Sequence, residues 1–129
     1  MPSDTYTIRP ATAGDSDVIE DLWVALHEEQ SDLDPRSALS EDARERWEND
    51  YPVWLEDEEC CVLAAVAGED RVVGFVHAEV WYPPPTEPPS RDLYVNSIYV
   101  TPAHRNAGIG SALVTAVENW ARERDIEQL

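Results

Sequence analysis

The sequence has 129 residues, and its 27 acidic against 9 basic residues give a formal net charge of −18. The length indicates a single domain. Every basic residue is Arg, and the absence of Lys excludes a Walker-type phosphate loop and a Schiff-base lysine. A chain this acidic, with no basic run, is poorly suited to bind nucleic acid or an anionic membrane surface.

The composition nevertheless indicates a folded protein. The apolar fraction of 43%, with five Trp and five Tyr, is enough for one hydrophobic core. Molar salt would weaken the repulsion between surface carboxylates, so we interpret the charge as that of a cytoplasmic protein from a halophile-like, salt-accumulating microbe. An ordinary acidic mesophilic protein is the alternative. Residues 1–10 contain no apolar core of a signal peptide, and no apolar run is long enough to span a bilayer.

The chain predicts four strands and three helices. Helices are assigned where apolar side chains recur every three or four residues, and strands where short apolar runs are bounded by turn residues. Asp15 or Ser16 can cap the first helix, Pro52 is expected to kink or divide the second, and the Pro-rich residues 83–89 are expected to be extended. The predicted elements are a strand over 6–9, helices over 16–30 and 40–55, hairpin strands over 60–67 and 71–81, a strand over 93–100 and a helix over 111–124.

The two cysteines are adjacent in a predicted strand, so Cys60 and Cys61 are expected to point to opposite faces. They are therefore not expected to bridge each other, and we interpret them as small apolar packing residues. Because His27, His77 and His104 are far apart in the sequence, no zinc site is expected.

The segment over residues 95–113 combines a strand, a short loop, a glycine-containing turn and a helix start. The free amides and positive dipole end of a helix suit an anion. Gly108 and Gly110 have no Cβ to block the close approach of a phosphate, and Arg105 adds a positive charge.

The acidic residues are unevenly distributed around this segment. Residues 93–117 contain no Asp or Glu, although simple proportion predicts about five. Burial of the strand and of the inner helix face is the alternative explanation, but it does not cover the loop over 101–106, which should be exposed. We therefore favour an anion-binding site.

The pattern Arg-x-x-Gly-x-Gly at Arg105–Gly110, preceded by Ile-Tyr-Val-x-Pro, resembles the acetyl-CoA-binding motif of the GNAT family of N-acetyltransferases. Thr7–Ala11, followed by an Asp-rich helix start, is similar to the first strand and helix of that family. Val72–Val76 is similar to its third strand. The resemblance covers nearly the whole chain and implies one α/β (α+β) domain over residues 1–129. Its sheet would be mixed, mostly antiparallel and flanked by helices.

The resemblance also implies a reaction in which a primary amine attacks the thioester of acetyl-CoA directly, with no metal and no covalent enzyme intermediate. Backbone groups of Ile98, Tyr99 and Val100 would pair with the pantetheine arm of this co-substrate. The pyrophosphate would be bound by the amides of Arg105, Asn106, Ala107, Gly108, Ile109, Gly110 and Ser111.

The residue that accepts the proton of the amine is less clearly marked. Many members of the family carry Glu at the position of Asn96, which can orient a water or the amine but cannot accept a proton. Glu79 and His77 share one face of the preceding strand, so either can act as a base through a water. Otherwise Glu79 is a surface acid and His77 a hydrogen-bonded core residue. His104 is expected near the phosphates.

Two classes of function stay open: an N-acetyltransferase for a small-molecule or protein amine, and a non-catalytic acyl-CoA-binding or regulatory module. The second is favoured by Asn96 and by the expectation that the sequence, which ends at Leu129, lacks the usual C-terminal strands of the family. A homodimer would then complete the sheet. A Rossmann site is disfavoured because Leu113 stands at its third glycine.

Overall fold

A computed structural model describes residues 6–33, 41–68, 71–87, 92–105 and 108–124. The element order is the one that the sequence predicts. The predicted start of the second helix at Ser40 lies outside the described residues. The elements are β1 (Tyr6–Pro10), α1 (Ser16–Leu33), α2 (Ala43–Glu56), β2 (Cys60–Ala67), β3 (Arg71–Trp81), β4 (Asp92–Val100) and α3 (Ile109–Arg122).

The described strands form one antiparallel sheet in the order β1-β2-β3-β4. Each strand pairs with its neighbour in sequence. The connections from β2 to β3 and from β3 to β4 are short enough for antiparallel pairing, whereas the connection from β1 to β2 contains the two helices α1 and α2. Helices α1 and α2 cover one face of the sheet and α3 covers the other. The predicted α/β domain with an antiparallel sheet flanked by helices is therefore confirmed.

Two hydrophobic clusters lie on the opposite faces of the sheet. Leu113 and Val117 of α3 pack against Val76 on one face. Trp47 and Tyr51 of α2 pack against the other face, and their rings stack at 4.6 Å between centroids. Because β2 and β3 are covered on both sides, their sequences are continuous apolar runs rather than alternating ones.

The two cysteines follow from this arrangement. Cys61 is buried in the cluster under α3, whereas Cys60 is half-buried at the start of β2, and both are free thiols. The prediction that they point to opposite faces is correct. The interpretation as apolar packing residues holds for Cys61. The Sγ of Cys60, in contrast, is 3.6 Å from a carboxylate oxygen of Asp57. Cys60 is therefore in polar surroundings.

A short 3-10 turn over Ala13–Asp15 precedes α1, and its N-cap is Thr12, so Asp15 lies within this turn and does not cap α1 as predicted. Its carboxylate accepts hydrogen bonds from the backbone amide of Thr12 at 2.8 Å and from the Arg9 guanidinium at 2.7 and 3.0 Å. Asp15 is buried, and the Arg9 hydrogen bond holds its pKa below the ordinary value although burial opposes this. The pair therefore connects β1 to the helix that follows.

Pro52 does not divide the second helix, because α2 runs without a break from Ala43 to Glu56. A proline inside a helix removes one backbone hydrogen bond. Here the ring is exposed, and the helix is held by the buried side chains of Trp47 and Tyr51. Tertiary packing therefore outweighs the local penalty. Within the described parts of the chain, no helix is both long and apolar enough to cross a membrane.

Candidate functional site

The open edge of β4 is the first feature of the site. β4 is the last strand of the sheet, and no described strand pairs with its outer edge. The register shifts between His77 and Ala78, whose partners are Ser97 and Val95, so Asn96 is the extra residue of a β-bulge. Bulges bend a strand and redirect its side chains, and they are common beside active sites. The outward-facing backbone groups of residues 98–100 are thus available to a ligand, apart from the Val100 carbonyl, which accepts a hydrogen bond from Arg105.

The turn before α3 is the second feature. Gly108 has φ +82°, a left-handed conformation that favours glycine, and it is the N-cap residue of α3. The helix begins at Ile109, two residues earlier than predicted, so the amides of Ile109, Gly110 and Ser111 belong to its first turn. Amides in the first turn have no partner inside the helix and can bind an anion.

A groove of about 390 Å³ lies between these two features and α1. It brings together six of the ten predicted cofactor residues. Gly108 and Ser111 are not part of its lining, and Asn106 and Ala107 lie outside the described residues. The walls come from α1, the end of β4, the loop and the start of α3. The lining residues are Leu26, Glu29, Ile98, Tyr99, Val100, His104, Arg105, Ile109 and Gly110.

Arg105 is the cation of this groove. Its guanidinium lies 5.1 Å from the centroid of the Tyr99 ring, and its Nε donates to the carbonyl of Val100 at 2.9 Å. It also forms an ion pair with Glu29 of α1, and the Tyr99 hydroxyl donates to the same carboxylate. The hydrogen bonds from Tyr99 and Arg105 hold the pKa of Glu29 below its ordinary value. Glu29 was not predicted, since in the sequence it is one acid among 27.

His104 lies where the sequence places it, in the loop that lines the groove. One of its ring nitrogens, Nδ1, is 2.8 Å from the hydroxyl of Thr101. The contact fixes the ring within the short turn over Pro102–His104. His104 therefore lines the same groove as Arg105, and its place near the phosphates stays a prediction.

The predicted catalytic residues form a second group on the α1–α2 side of the sheet. Nδ1 of His77 is 3.5 Å from the side-chain nitrogen of Asn96, and the ring stacks on Trp54 with centroids 4.1 Å apart. Burial lowers the pKa of His77 to about 4, so this imidazole is neutral at neutral pH. Glu79 is half-buried on the same face of β3.

Cys60 belongs to the same group, and the sequence alone did not reveal that it lies beside His77 and Glu79. It is directly opposite Glu79 in the β2–β3 ladder, and the possible ligand atoms of Cys60, His77 and Glu79 lie within 4.8 Å of one another. Burial, with the charges of nearby carboxylates, raises the pKa of the Cys60 thiol to about 12. The argument against zinc considered only the spacing of the histidines and the cysteine pair, and it missed an acid brought in by strand pairing.

Comparisons with known proteins agree with this fold. The fold is similar to that of a Bacillus halodurans protein (TM-score 0.79, 19% identity, 95% of this chain and 79% of the other). It is also similar to aminoglycoside N-acetyltransferase AAC(6')-Iy in complex with CoA (TM-score 0.74, 17% identity, 98% of this chain and 76% of the other). Residues 19–129 match the model of the acetyltransferase (GNAT) family. The chain belongs to this family.

One similar curated protein is the aminoglycoside N(6')-acetyltransferase type 1 of Klebsiella aerogenes, with 35% identity over 69 residues. The aligned part is 49% of this chain and 41% of that enzyme. A solved structure with a different printed function, ribosomal-protein-alanine N-acetyltransferase from Brucella melitensis, matches with a TM-score of 0.68, 25% identity, 97% of this chain and 77% of the other. Relatives that act on different kinds of amine thus share the fold.

Proposed function

We propose that this protein transfers the acetyl group of acetyl-CoA to a primary amine. The observation that carries the proposal is the groove that joins the open edge of β4 to the first turn of α3, with Arg105 at its side. A long, flexible thioester with a pyrophosphate fits a site that offers strand-like backbone pairing at one end and helix amides at the other. Membership of the GNAT family and the similar fold of a CoA-bound structure support it.

In this proposal the co-substrate lies along β4 and its phosphates lie at α3. Backbone groups of Ile98, Tyr99 and Val100 pair with the pantetheine arm. The amides of the α3 first turn and of the preceding loop, with Arg105, bind the pyrophosphate. Asn106 and Ala107 complete that loop. Gly110 supports the proposal, because a Cβ built there meets no other atom within 4 Å and the groove side of the helix start is therefore open.

The chemistry follows from positioning. The neutral amine attacks the thioester carbonyl, a new C–N bond forms, the C–S bond breaks, and CoA leaves as the thiolate, which then takes up a proton. We assign removal of the ammonium proton to Glu79 or His77 through a water, with Asn96 orienting that water or the amine. The bulge at Asn96 supports this assignment because the side-chain nitrogen of Asn96 lies 3.5 Å from Nδ1 of His77, and Asn96 is two residues before Ile98 of the groove.

The acceptor is proposed to be a small-molecule amine. Two of the similar proteins named above are aminoglycoside acetyltransferases, and the net charge of −18 attracts cationic acceptors. The cytoplasmic location, the adaptation to salt and the homodimer stay predictions. A non-catalytic acyl-CoA-binding module is the second candidate, favoured by Asn96, which cannot accept a proton.

Arg105→Gln tests the groove, with Arg122→Gln as the matched control, since Arg122 lies on α3 outside the groove lining. We expect calorimetry to show acetyl-CoA affinity at least about tenfold lower for Arg105→Gln and unchanged for the control. Equal affinity in all three proteins would contradict the placement of the phosphates.

Turnover is tested separately. The wild-type protein is mixed with acetyl-CoA and a panel of small amines in high KCl, and the release of free thiol is followed. Thiol release that depends on one class of amine supports the enzyme. Binding of acetyl-CoA without thiol release over every acceptor would contradict it and would favour the non-catalytic module.

A further inference from the structure

The group of side chains around Cys60 contains both candidate proton acceptors of the proposed transfer, His77 and Glu79, together with a thiol that the transfer does not use. Strand pairing places Cys60 directly opposite Glu79, and His77 lies two residues before Glu79 on the same face of β3. A thiol, an imidazole and a carboxylate, each with one possible ligand atom, therefore lie within 4.8 Å of one another. Sulfur, imidazole nitrogen and carboxylate oxygen are the three kinds of ligand atom that bind zinc in proteins.

His77 provides an independent observation. The residue is only 7% exposed, and among the described residues its Nε2 has no hydrogen-bond partner. The other ring nitrogen faces Asn96 at 3.5 Å, and Trp54 stacks on the ring and holds its plane. A buried polar nitrogen without a partner is unfavourable, and a metal ion is one group that satisfies it.

The surrounding charge is negative. The Sγ of Cys60 is 3.6 Å from a carboxylate oxygen of Asp57, and the charges of Asp57, Glu79 and Glu59 all act on this thiol. Such a cluster disfavours a free thiolate and favours a bound cation, whose charge offsets that of the carboxylates. Asp57 is close enough to accept the displaced proton or to bind a ligand water.

We propose that Cys60, His77 and Glu79 bind a zinc ion between the start of β2 and the facing end of β3. Tetrahedral zinc with one sulfur and one nitrogen or oxygen ligand places the ligand atoms about 3.5 Å apart. The ligand atoms lie within 4.8 Å of one another, so rotation of the half-buried Cys60 and Glu79 side chains must bring them closer to the ion. On binding, the Cys60 thiol releases its proton to solvent or Asp57, and three protein ligands leave the fourth position to water. This site shares His77 and Glu79 with the proposed acetyl transfer, so a bound ion would occupy both candidate proton acceptors. Its test measures metal binding alone and does not depend on activity.

The test is a titration of the reduced, metal-depleted protein with Co²⁺, which replaces zinc and is visible. We expect a thiolate-to-cobalt charge-transfer band in the near ultraviolet, intense visible bands of tetrahedral cobalt, saturation at one ion per chain, and loss of all bands when Zn²⁺ is added. Cys60→Ser should lose the near-ultraviolet band, and His77→Gln should bind at least about tenfold more weakly.

The chain offers a matched control in the neighbouring thiol. Cys61→Ala removes a cysteine from the opposite face of the sheet and should keep the bands. Zn²⁺ should also raise the melting temperature of the wild type and of Cys61→Ala, but not that of Cys60→Ser. The proposal is overturned if a large excess of Co²⁺ produces no thiolate band, or if the band survives in Cys60→Ser.

Discussion

Arg105 donates hydrogen bonds through one guanidinium nitrogen to both carboxylate oxygens of Glu29, each at 2.9 Å. This ion pair joins α1 to the loop before α3, and both residues line the groove. The cation that we propose to meet the phosphates of CoA therefore already has an anionic partner within the chain. An incoming pyrophosphate must either share Arg105 with Glu29 or displace Glu29 from Arg105.

Glu29→Gln tests this competition. The substitution removes the negative charge but keeps the size of the side chain, so Arg105 is released toward the phosphates. Because both partners are partly exposed, the effect is modest, and we expect acetyl-CoA to bind about threefold to fivefold more tightly by calorimetry.

Glu28→Gln is the matched control, since Glu28 is an exposed acid that does not line the groove. It removes the same charge from the same helix and should leave the affinity within twofold of wild type, about the limit of such a measurement. Weaker binding by Glu29→Gln would contradict competition and would show that Glu29 positions Arg105 for the ligand.

The two glycines at the start of α3 should respond differently to alanine. Gly108 has φ +82°, so Gly108→Ala should lower the free energy of unfolding by about 1 kcal/mol, although the nearest atom to a new Cβ is 3.8 Å away. Gly110 is helical and uncrowded, so Gly110→Ala should raise that free energy by about 0.5 kcal/mol. Urea unfolding measures both.

The same Gly110→Ala protein separates stability from binding. Its new methyl group enters the groove at the helix start, so acetyl-CoA affinity should fall about fivefold or more even though the fold is more stable. Unchanged affinity would mean that the phosphates do not approach the first turn of α3.

Gly74→Ala should destabilise the sheet next to the groove. A Cβ at Gly74 would lie 2.9 Å from the backbone oxygen of Tyr99 and 3.3 Å from a methyl carbon of Val100, so β4 must shift. We expect a loss of about 2–3 kcal/mol in the free energy of unfolding, measured with urea. Gly68→Ala is the comparison, because no atom lies within 4 Å and only its φ of +62° is unfavourable. It should cost about 1 kcal/mol, and an equal loss in both variants would contradict the crowding argument.

Asp15 predicts a pH dependence of stability. Its pKa is lowered in the folded state, mainly by Arg9, so the unfolded chain takes up the proton first as the pH falls. The stabilisation is thus fully present above the ordinary pKa of Asp, near 4, and is lost as the pH falls through the lower folded value. Asp15→Asn should cost about 1–3 kcal/mol at pH 7 and should flatten the loss of stability below about pH 4.

The measurement is urea unfolding at several pH values from neutral to acid. Asp17→Asn, at an exposed acid in the first turn of α1, is the control and should keep the wild-type slope. If Asp15→Asn and wild type lose stability in parallel as the pH falls, the carboxylate of Asp15 is not the group that titrates.

Much of the fold was predictable because its causes are local. Turn residues at Gly68, short apolar runs and helical spacing of apolar side chains act between near neighbours, so the order of strands and helices follows from reading the chain. The inaccurate predictions concern element boundaries, the division of α2 at Pro52, and the Pro-rich loop, where the amide of Glu87 donates to the carbonyl of Pro84 in a turn instead of staying extended. At Pro52 the decisive contribution is packing against the sheet, which adjacent residues do not reveal.

The sequence by itself determined the net charge of −18, the absence of Asp and Glu from residues 93–117, and the glycine turn that starts α3. These features depend on composition and on near neighbours. Only the tertiary structure decided that Glu29, 76 residues before Arg105, is its partner, and that Cys60 lies opposite Glu79. Both contacts join distant segments, because they depend on how a helix lies on the sheet and on the register of two strands.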